Sequence, residues 1–367
     1  MPNKQNHQKR IVFIFKKKNI YSFEKNGPTE FLYGLDFVQK KITAVSFFAN
    51  QYQFKHLPFM LLEKFIACQT NLGIYFQAYL NNKKNFMEND LLFAINDGAG
   101  FGLLFFKYFG KLNNKIIILV QGLHDRQQKY HHNIFFHYFH KKLLNQAEII
   151  LTLSVFEKEL LIKLYQLNPQ KVQVLYFGAD LNFWNIKNLK KEGVGDYVIT
   201  AGNDMHRDYN LLINGYNLNI PLKLITRVLN KEQLKKINNN LLFEYYQEIN
   251  NILLRQLFYQ AKFAIIPQTT TSATSGLSTT LQLLALGKPV LIADAPALKE
   301  LFQDYQHVLY YQTANLSSFQ EKIYELNNNK KLRERLSNNG KKLIEEKFNS
   351  KNMGKNILKI IKPLIDI

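Results

Sequence analysis

The sequence predicts an α/β fold of two doubly wound, Rossmann-like domains, and three observations carry that expectation. Short apolar runs alternate with segments of helical periodicity in two successive blocks. Some of the runs, Lys115–Gln121 (KIIILVQ) above all, are nearly continuous and β-branched, as expected for strands buried on both faces of a parallel sheet. A chain of 367 residues is also too long for one core of ordinary size.

The elements follow in order. Arg10–Lys16 (RIVFIFK) reads as the first strand, and Pro28–Lys41 as a helix with Phe31, Leu35 and Val38 on one face. Leu91–Ile95 is a strand followed by a glycine-rich turn, Asn96–Gly100, and an apolar helix to Tyr108. Lys115–Gln121 and Ile149–Leu153 are strands, Glu157–Tyr165 is a helix, and Val172–Tyr176 closes the block. The second block places strands near Tyr197–Ala201, Leu222–Thr226, Phe263–Pro267, Pro289–Ala293 and Val308–Tyr310, with helices between them. The polar stretch Asn185–Gly195 (NIKNLKKEGVG) reads as a linker, which divides the chain into domains at 1–184 and 185–345.

Composition excludes several classes. Hydrophobic residues make up 46% of the chain, enough for packed cores, so the chain is not disordered. No apolar run reaches the length of a membrane span, and the start MPNKQNHQKR lacks a signal-peptide core, so a cytoplasmic location is expected. Cys68 stands alone, which leaves no disulfide framework and no thiolate metal site. His131, His132, His137 and His140 cluster without a carboxylate or thiolate partner, so no metal is expected there.

The net charge is +20, with 23 Lys+Arg against 12 Asp+Glu through Trp184 and 25 against 16 beyond it. Partners should therefore be anionic: phosphate groups, an acidic membrane surface or nucleic acid. The charge is diffuse and no nucleic-acid module is present, so nucleic acid is not expected. The Lys16–Lys18 cluster reads equally well as a solvated face.

The most informative run is Ala261–Ala293, a strand, a hydroxyl-rich loop, a short helix and a second strand. Ser275 or Ser278 is suited to cap the helix. Leu281, Leu284 and Ala285 form its apolar face, and Gly287 with Pro289 stops it. Free backbone N–H groups and the helix dipole at Gly276, Leu277 and Ser278 suit an anion site, although any βαβ protein has such loops and the residues alone read equally well as an ordinary strand–helix turn. With Ala285-Leu286-Gly287-Lys288-Pro289-Val290, this run resembles the nucleotide-sugar loop of GT-B glycosyltransferases, in particular the retaining enzymes of family 4, where A-x-G-x-P-V is typical. Val174–Trp184 (VLYFGADLNFW) resembles that family's passage from the first domain to the second. Gly178 there fits a left-handed turn, and Asp180 an Asx turn. Ser154–Val172 resembles the helix and turn that precede it. In Thr200–Tyr209 a strand ending in Gly202 is followed by Arg207, at or next to a basic residue of the family.

The resemblance implies a GT-B architecture, two Rossmann-like domains facing a cleft, with 346–367 containing a helix that returns to the first domain. It implies a metal-independent glycosyltransferase without a cofactor, moving a sugar with retention from a nucleoside diphosphate sugar to a glycan or lipid-linked acceptor. Reversible contact with anionic membrane fits the charge. Donor-binding positions would be Gly202, Arg207, Thr274, Ser275, Gly276, Leu277, Ser278 and Gln282. Arg207 would grip the diphosphate, with Lys262 and Lys288 as weaker, more solvated candidates. His124, at the end of the most buried strand, would be catalytic beside Arg207, and Asp125 and Arg126 would pair with each other. Gly27 and Glu30 would lie on the acceptor side, although Glu30 is also favourable simply at a helix start. The chain departs from the family where two glutamates eight positions apart are usual: Thr274 and Gln282 stand there. On that register Gln282→Glu should preserve or improve donor binding. A non-catalytic GT-B binding or assembly subunit and a GT-B sugar-nucleotide epimerase are the alternatives.

Overall fold

The computed structural model describes residues 10–16, 27–49, 53–128, 134–187, 189, 195–271 and 273–365. Lys17, Lys18, His131, His132 and most of the expected linker, 188 and 190–194, lie outside the described residues. The chain forms two compact units. One comprises Met1–Phe23, Phe31–Tyr176 and Met353–Ile367, and the other Glu24–Glu30 and Phe177–Asn352.

The first unit contains strands β1 (Ile11–Phe15), β2 (Ala44–Phe48), β3 (Leu91–Ala94), β4 (Lys115–Leu119), β5 (Ile149–Thr152) and β6 (Val172–Val174). They form a parallel sheet in the order β2-β1-β3-β4-β5-β6. The inner strands β1, β3 and β5 are buried throughout, as is all of β4 after Lys115. Their unbroken apolar runs follow from helices covering both faces. The sequence reading missed β2, an edge strand whose five residues are only half-buried. Such a strand carries no unbroken apolar run.

Two expectations in this unit are corrected. The glycines after β3 do not form a turn, because the helix Asp97–Tyr108 already begins at Asp97, where the Asn96 side chain accepts from the Ala99 N–H. They serve close packing instead. A Cβ at Gly100 would sit 2.2 Å from the Ile118 side chain, and one at Gly102 would sit 2.1 Å from the Tyr75 carbonyl oxygen. The helix expected over Pro28–Lys41 is two short pieces, Glu30–Leu32 and Leu35–Val38. Tyr33 and Gly34 separate them at φ 49° and 75°. A left-handed pair ends a helix, and Gly34 is needed for a second reason: a Cβ there would stand 2.9 Å from the Gly354 Cα in the helix Ser350–Ile365.

The second unit contains β7 (Val198–Ala201), β8 (Leu222–Ile225), β9 (Phe243–Tyr246), β10 (Phe263–Ile266), β11 (Val290–Ala293) and β12 (Leu309–Tyr311). The parallel order is β12-β11-β10-β7-β8-β9. The sequence reading also missed β9, the edge strand Phe-Glu-Tyr-Tyr, which is half-buried throughout. The sheet winds away in both directions from the β7–β10 pair. In such sheets the loops after the two central strands diverge, and the crevice between them is where ligands bind. Among the described residues, no helix is long and apolar enough to cross a membrane.

Candidate functional site

The loops after β7 and β10 carry the residues singled out in the second unit. They are joined backbone to backbone by an isolated antiparallel bridge between Arg207 and Gln268 and by Thr269 N–H donating to the His206 carbonyl at 2.8 Å. Asp208 caps the following helix, Tyr209–Gly215, by accepting from the Leu211 N–H at 2.9 Å. This fixes the Arg207 backbone from both sides.

The Arg207 side chain is turned inward and is 2% exposed. Its Nε lies 2.8 Å from Asp204 Oδ2, and its Nη2 donates a long 3.4 Å hydrogen bond to Thr279 Oγ1. Its Nη1 has no hydrogen-bond partner among the described residues. Two glycines make room for the guanidinium. A Cβ at Gly202 would meet Nε at 2.3 Å, and one at Gly276 would stand 3.3 Å from Nη1. A buried cation with an unused donor is costly unless an anion completes it.

Gly276 is also the residue from which the helix Leu277–Ala285 starts, at φ 75°. Among the described residues no side chain caps that start, contrary to the expectation for Ser275 and Ser278. The Ser275 hydroxyl instead donates to Asp204 Oδ1 at 2.6 Å, and Ser278 already lies inside the first turn. The helix dipole therefore opens beside Arg207 with no side chain among the described residues closing it. Leu277 is buried in the core, while Thr274 is half-buried and its carbonyl accepts from the Leu277 N–H.

One turn along this helix, Gln282 has a partner that sequence reasoning did not find. Its Nε2 donates to Glu30 Oε1 at 2.9 Å, and Trp184 Nε1 donates to the same oxygen at 2.7 Å. Glu30 is fully buried, and its Oε2 has no hydrogen-bond partner among the described residues. Burial pushes its pKa up to about 7, against the lowering effect of Gln282 and Trp184. Glu30 thus belongs to the second unit, against the expected donor-side helix. The acceptor-side expectation is corrected to that extent. Gly27 is half-buried at the head of the same segment.

The Val174–Trp184 motif explains this placement. Asp180 Oδ1 accepts from the Asn182 N–H at 2.9 Å, the Asx turn expected of it. Its Oδ2 accepts from both the N–H and the hydroxyl of Thr29, at 3.0 and 2.9 Å. Asp180 and Trp184 therefore pin Thr29 and Glu30. Gly178 is required by the close approach of the Asn349 backbone, which a Cβ would meet at 2.3 Å.

In the first unit, His124 is buried at the start of the helix Leu123–Gln128, its Nε2 3.0 Å from Asp125 Oδ1. Arg126 does not pair with Asp125 as expected. It donates to the Asp97 carboxylate and, at 2.6 Å, to the Gln121 carbonyl. Asp97 also accepts from the Gln121 N–H at 2.8 Å, and Gln121 Nε2 donates to the Tyr33 hydroxyl at 2.7 Å. Asp97 thereby orders the loop after β4, a role its sequence context did not reveal. Burial pushes its carboxyl up, against the pull of Arg126.

The remaining candidates have structural partners. Lys288 is buried, not solvated; it donates to the Ala261 carbonyl at 3.1 Å, before β10 begins and so at the opposite end of that strand from Arg207. Desolvation lowers its pKa to about 8. Lys262 pairs with Asp196 at 3.2 Å. His137 stacks on Tyr165 at 4.9 Å, and burial lowers the pKa of His140 to about 4.

Residues 138–343, more than half of the chain, match the family described as Glycosyl transferases group 1, and the chain belongs to that family. Among curated protein sequences no relative is found. Solved structures show the same fold. HepE from Anabaena in complex with UDP and glucose is 12% identical, with 96% of this chain and 99% of that one covered and a TM-score of 0.70. Sucrose-phosphate synthase from Thermosynechococcus elongatus is 14% identical, with 98% and 99% covered and a TM-score of 0.70. A glycosyltransferase from Rickettsia africae is 12% identical, with 98% and 99% covered and a TM-score of 0.66.

Proposed function

We propose that this glycosyltransferase moves a sugar, with retention and in the manner of family 4, from a nucleoside diphosphate sugar to a glycan or lipid-linked acceptor at an anionic membrane. The observation that supports this best is the buried Arg207 guanidinium, whose Nη1 lies beside the start of the Leu277–Ala285 helix, the one without a partner and the other without a cap among the described residues. Both features supply positive charge where a departing diphosphate gathers negative charge. Gln282, on the same helix, is positioned to offer its amide oxygen to the nucleotide sugar, because Glu30 already holds its Nε2. The nearby structure of HepE with UDP and glucose favours a uridine nucleotide.

A thermal-shift series with UDP-, GDP- and ADP-sugars tests the donor. A ligand that binds only the native state stabilises it, by about 2.7 kcal/mol at a hundredfold excess over Kd, and so raises the unfolding midpoint. The expected result is a shift with UDP-sugars; no shift with any nucleotide sugar overturns the donor reading. Product appearing without an acceptor would favour an epimerase. With Arg207 and the helix supplying the charge, chelation of divalent ions should leave transfer unchanged. Loss of transfer on chelation, restored by a divalent ion, would place a metal in the mechanism.

Gly202→Ala offers a second test, because the added Cβ would occupy the space of the Arg207 Nε. The guanidinium must swing away, and the donor KM is expected to rise by about tenfold or more, the scale of one charge-assisted hydrogen bond. An unchanged KM would mean that Arg207 does not hold the donor.

A further inference from the structure

The helix Leu57–Thr70 in the first unit packs Phe59 and Ile66 against the core and carries apolar side chains on its water-facing side as well. Its inward side contributes only Ile66 and Thr70 to the fully buried residues. Its outward side shows Leu61 and Phe65, each 56% exposed, and Phe54 just ahead of it is 92% exposed. The start of the helix Ile134–Leu144 is similar: Ile134 is 79% exposed and Phe135 71%. The two helices are neighbours through Phe65 and Phe136, whose rings are 6.2 Å apart, so the exposed residues form one apolar face. A face of this kind on a soluble surface marks an interaction site.

Its charge selects the occupant. Lys55 and Lys64 are exposed among the apolar residues, and the Lys142 ammonium lies 5.0 Å over the ring of Tyr138, which is itself exposed. Against these, Glu63 is the one acidic residue in the two helices, and it is half-buried. A second copy of this chain would bring the same lysines, and its own +20, against them. An anionic bilayer surface offers the opposite charge together with an apolar layer into which aromatic and aliphatic side chains insert.

We infer that the face formed by Leu57–Thr70 and the start of Ile134–Leu144 docks the first unit on the surface of an anionic lipid bilayer. This deepens the membrane part of the proposed function and rests on it for its meaning, since it names the surface that would bring the enzyme to a lipid-borne acceptor.

The test is sedimentation of the full chain with vesicles of phosphatidylglycerol and phosphatidylcholine, and with vesicles of phosphatidylcholine alone, in the absence of any sugar nucleotide. The expected result is binding to the anionic vesicles only, weakening as salt is added. The double variant Leu61→Asp/Phe65→Asp should lower the partition coefficient by about thirtyfold or more, because two side chains no longer enter the apolar layer. Lys55→Glu/Lys64→Glu should lower it by about tenfold or more, and the effect should shrink in high salt. Both variants change exposed positions and should keep the wild-type unfolding midpoint. Equal binding by wild type and the Leu61→Asp/Phe65→Asp variant would overturn the proposal, as would binding of the wild type to neither vesicle at low salt. A wild-type dimer that this variant dissociates would assign the face to a second copy instead. The nucleotide-sugar thermal shift, measured without vesicles, shows separately whether the donor reading stands.

Discussion

Arg207→Ala is expected to lower turnover by a factor corresponding to about 2–4 kcal/mol of transition-state stabilisation while leaving the unfolding midpoint close to that of the wild type. The two effects separate because of how Arg207 is held. Its hydrogen bond to Thr279 is long, 3.4 Å, and its Nη1 is unpartnered among the described residues. The side chain therefore gives the fold little that its own desolvation does not cancel. Its ion-pair partner, Asp204, has a side chain 36% exposed to water and keeps the Ser275 hydroxyl and the His206 N–H as donors. Removing Arg207 thus leaves no stranded buried charge, which is the usual source of a large loss of stability.

Turnover is expected to respond strongly because neither of the other two basic candidates, Lys262 and Lys288, stands at this end of the sheet. Lys288 is engaged before the start of β10, and Lys262 pairs with Asp196. Arg207→Lys should recover part of the rate, since the charge returns without the planar fork that grips two oxygens at once. The measurements are kcat and KM for donor, with the unfolding midpoint as control. Wild-type turnover in Arg207→Ala would remove Arg207 from the chemistry.

The parts of the molecule that could be read from the sequence are those where one physical demand fixes the residues. Strands buried on both faces favour apolar residues, so β1, β3, β10 and β11, and β4 after Lys115, stand out as unbroken runs. The edge strands β2 and β9 answer to water on one side, and their mixed sequences give no such signal. Arg207 was singled out only by the resemblance of Thr200–Tyr209 to the family, and its burial and its ion pair with Asp204 had no signal in the sequence. The glycines after β3 were misread because a glycine required by a close neighbour looks the same in sequence as one required by a turn. Tyr75 and Ile118, which impose that requirement, are distant along the chain. Glu30 was misplaced for the same reason: its partners, Gln282 and Trp184, lie 252 and 154 residues away. Those partners also account for the neutral residue at 282, since an amide can donate to a buried carboxylate and a second carboxylate cannot.

Glu30 should make the stability of this protein fall as the pH rises through neutrality, and Glu30→Gln should remove that dependence. The folded pKa is about 7, against the 4.5 of an ordinary glutamate side chain. Between these values the native state holds a proton that the unfolded chain has released, so stability decreases with rising pH. The contribution is complete below about pH 4.5, is lost as pH rises through about 7, and is on the order of 3 kcal/mol. Glu30→Gln keeps an oxygen for Trp184 and Gln282 but cannot ionise. It should therefore lose less stability than the wild type between about pH 5 and pH 8.5, whatever constant cost its unpartnered amide adds. Gln282→Glu should act in the opposite direction. It replaces the donor 2.9 Å from Glu30 with a second carboxyl group, and two carboxylates that close cannot both ionise inside a protein. The fall in stability above neutral pH should steepen, and donor affinity should drop with it, reversing what the sequence register alone suggests. Urea unfolding of the wild type and both variants across this range provides the comparison. Parallel curves for wild type and Glu30→Gln would mean that Glu30 does not carry this titration.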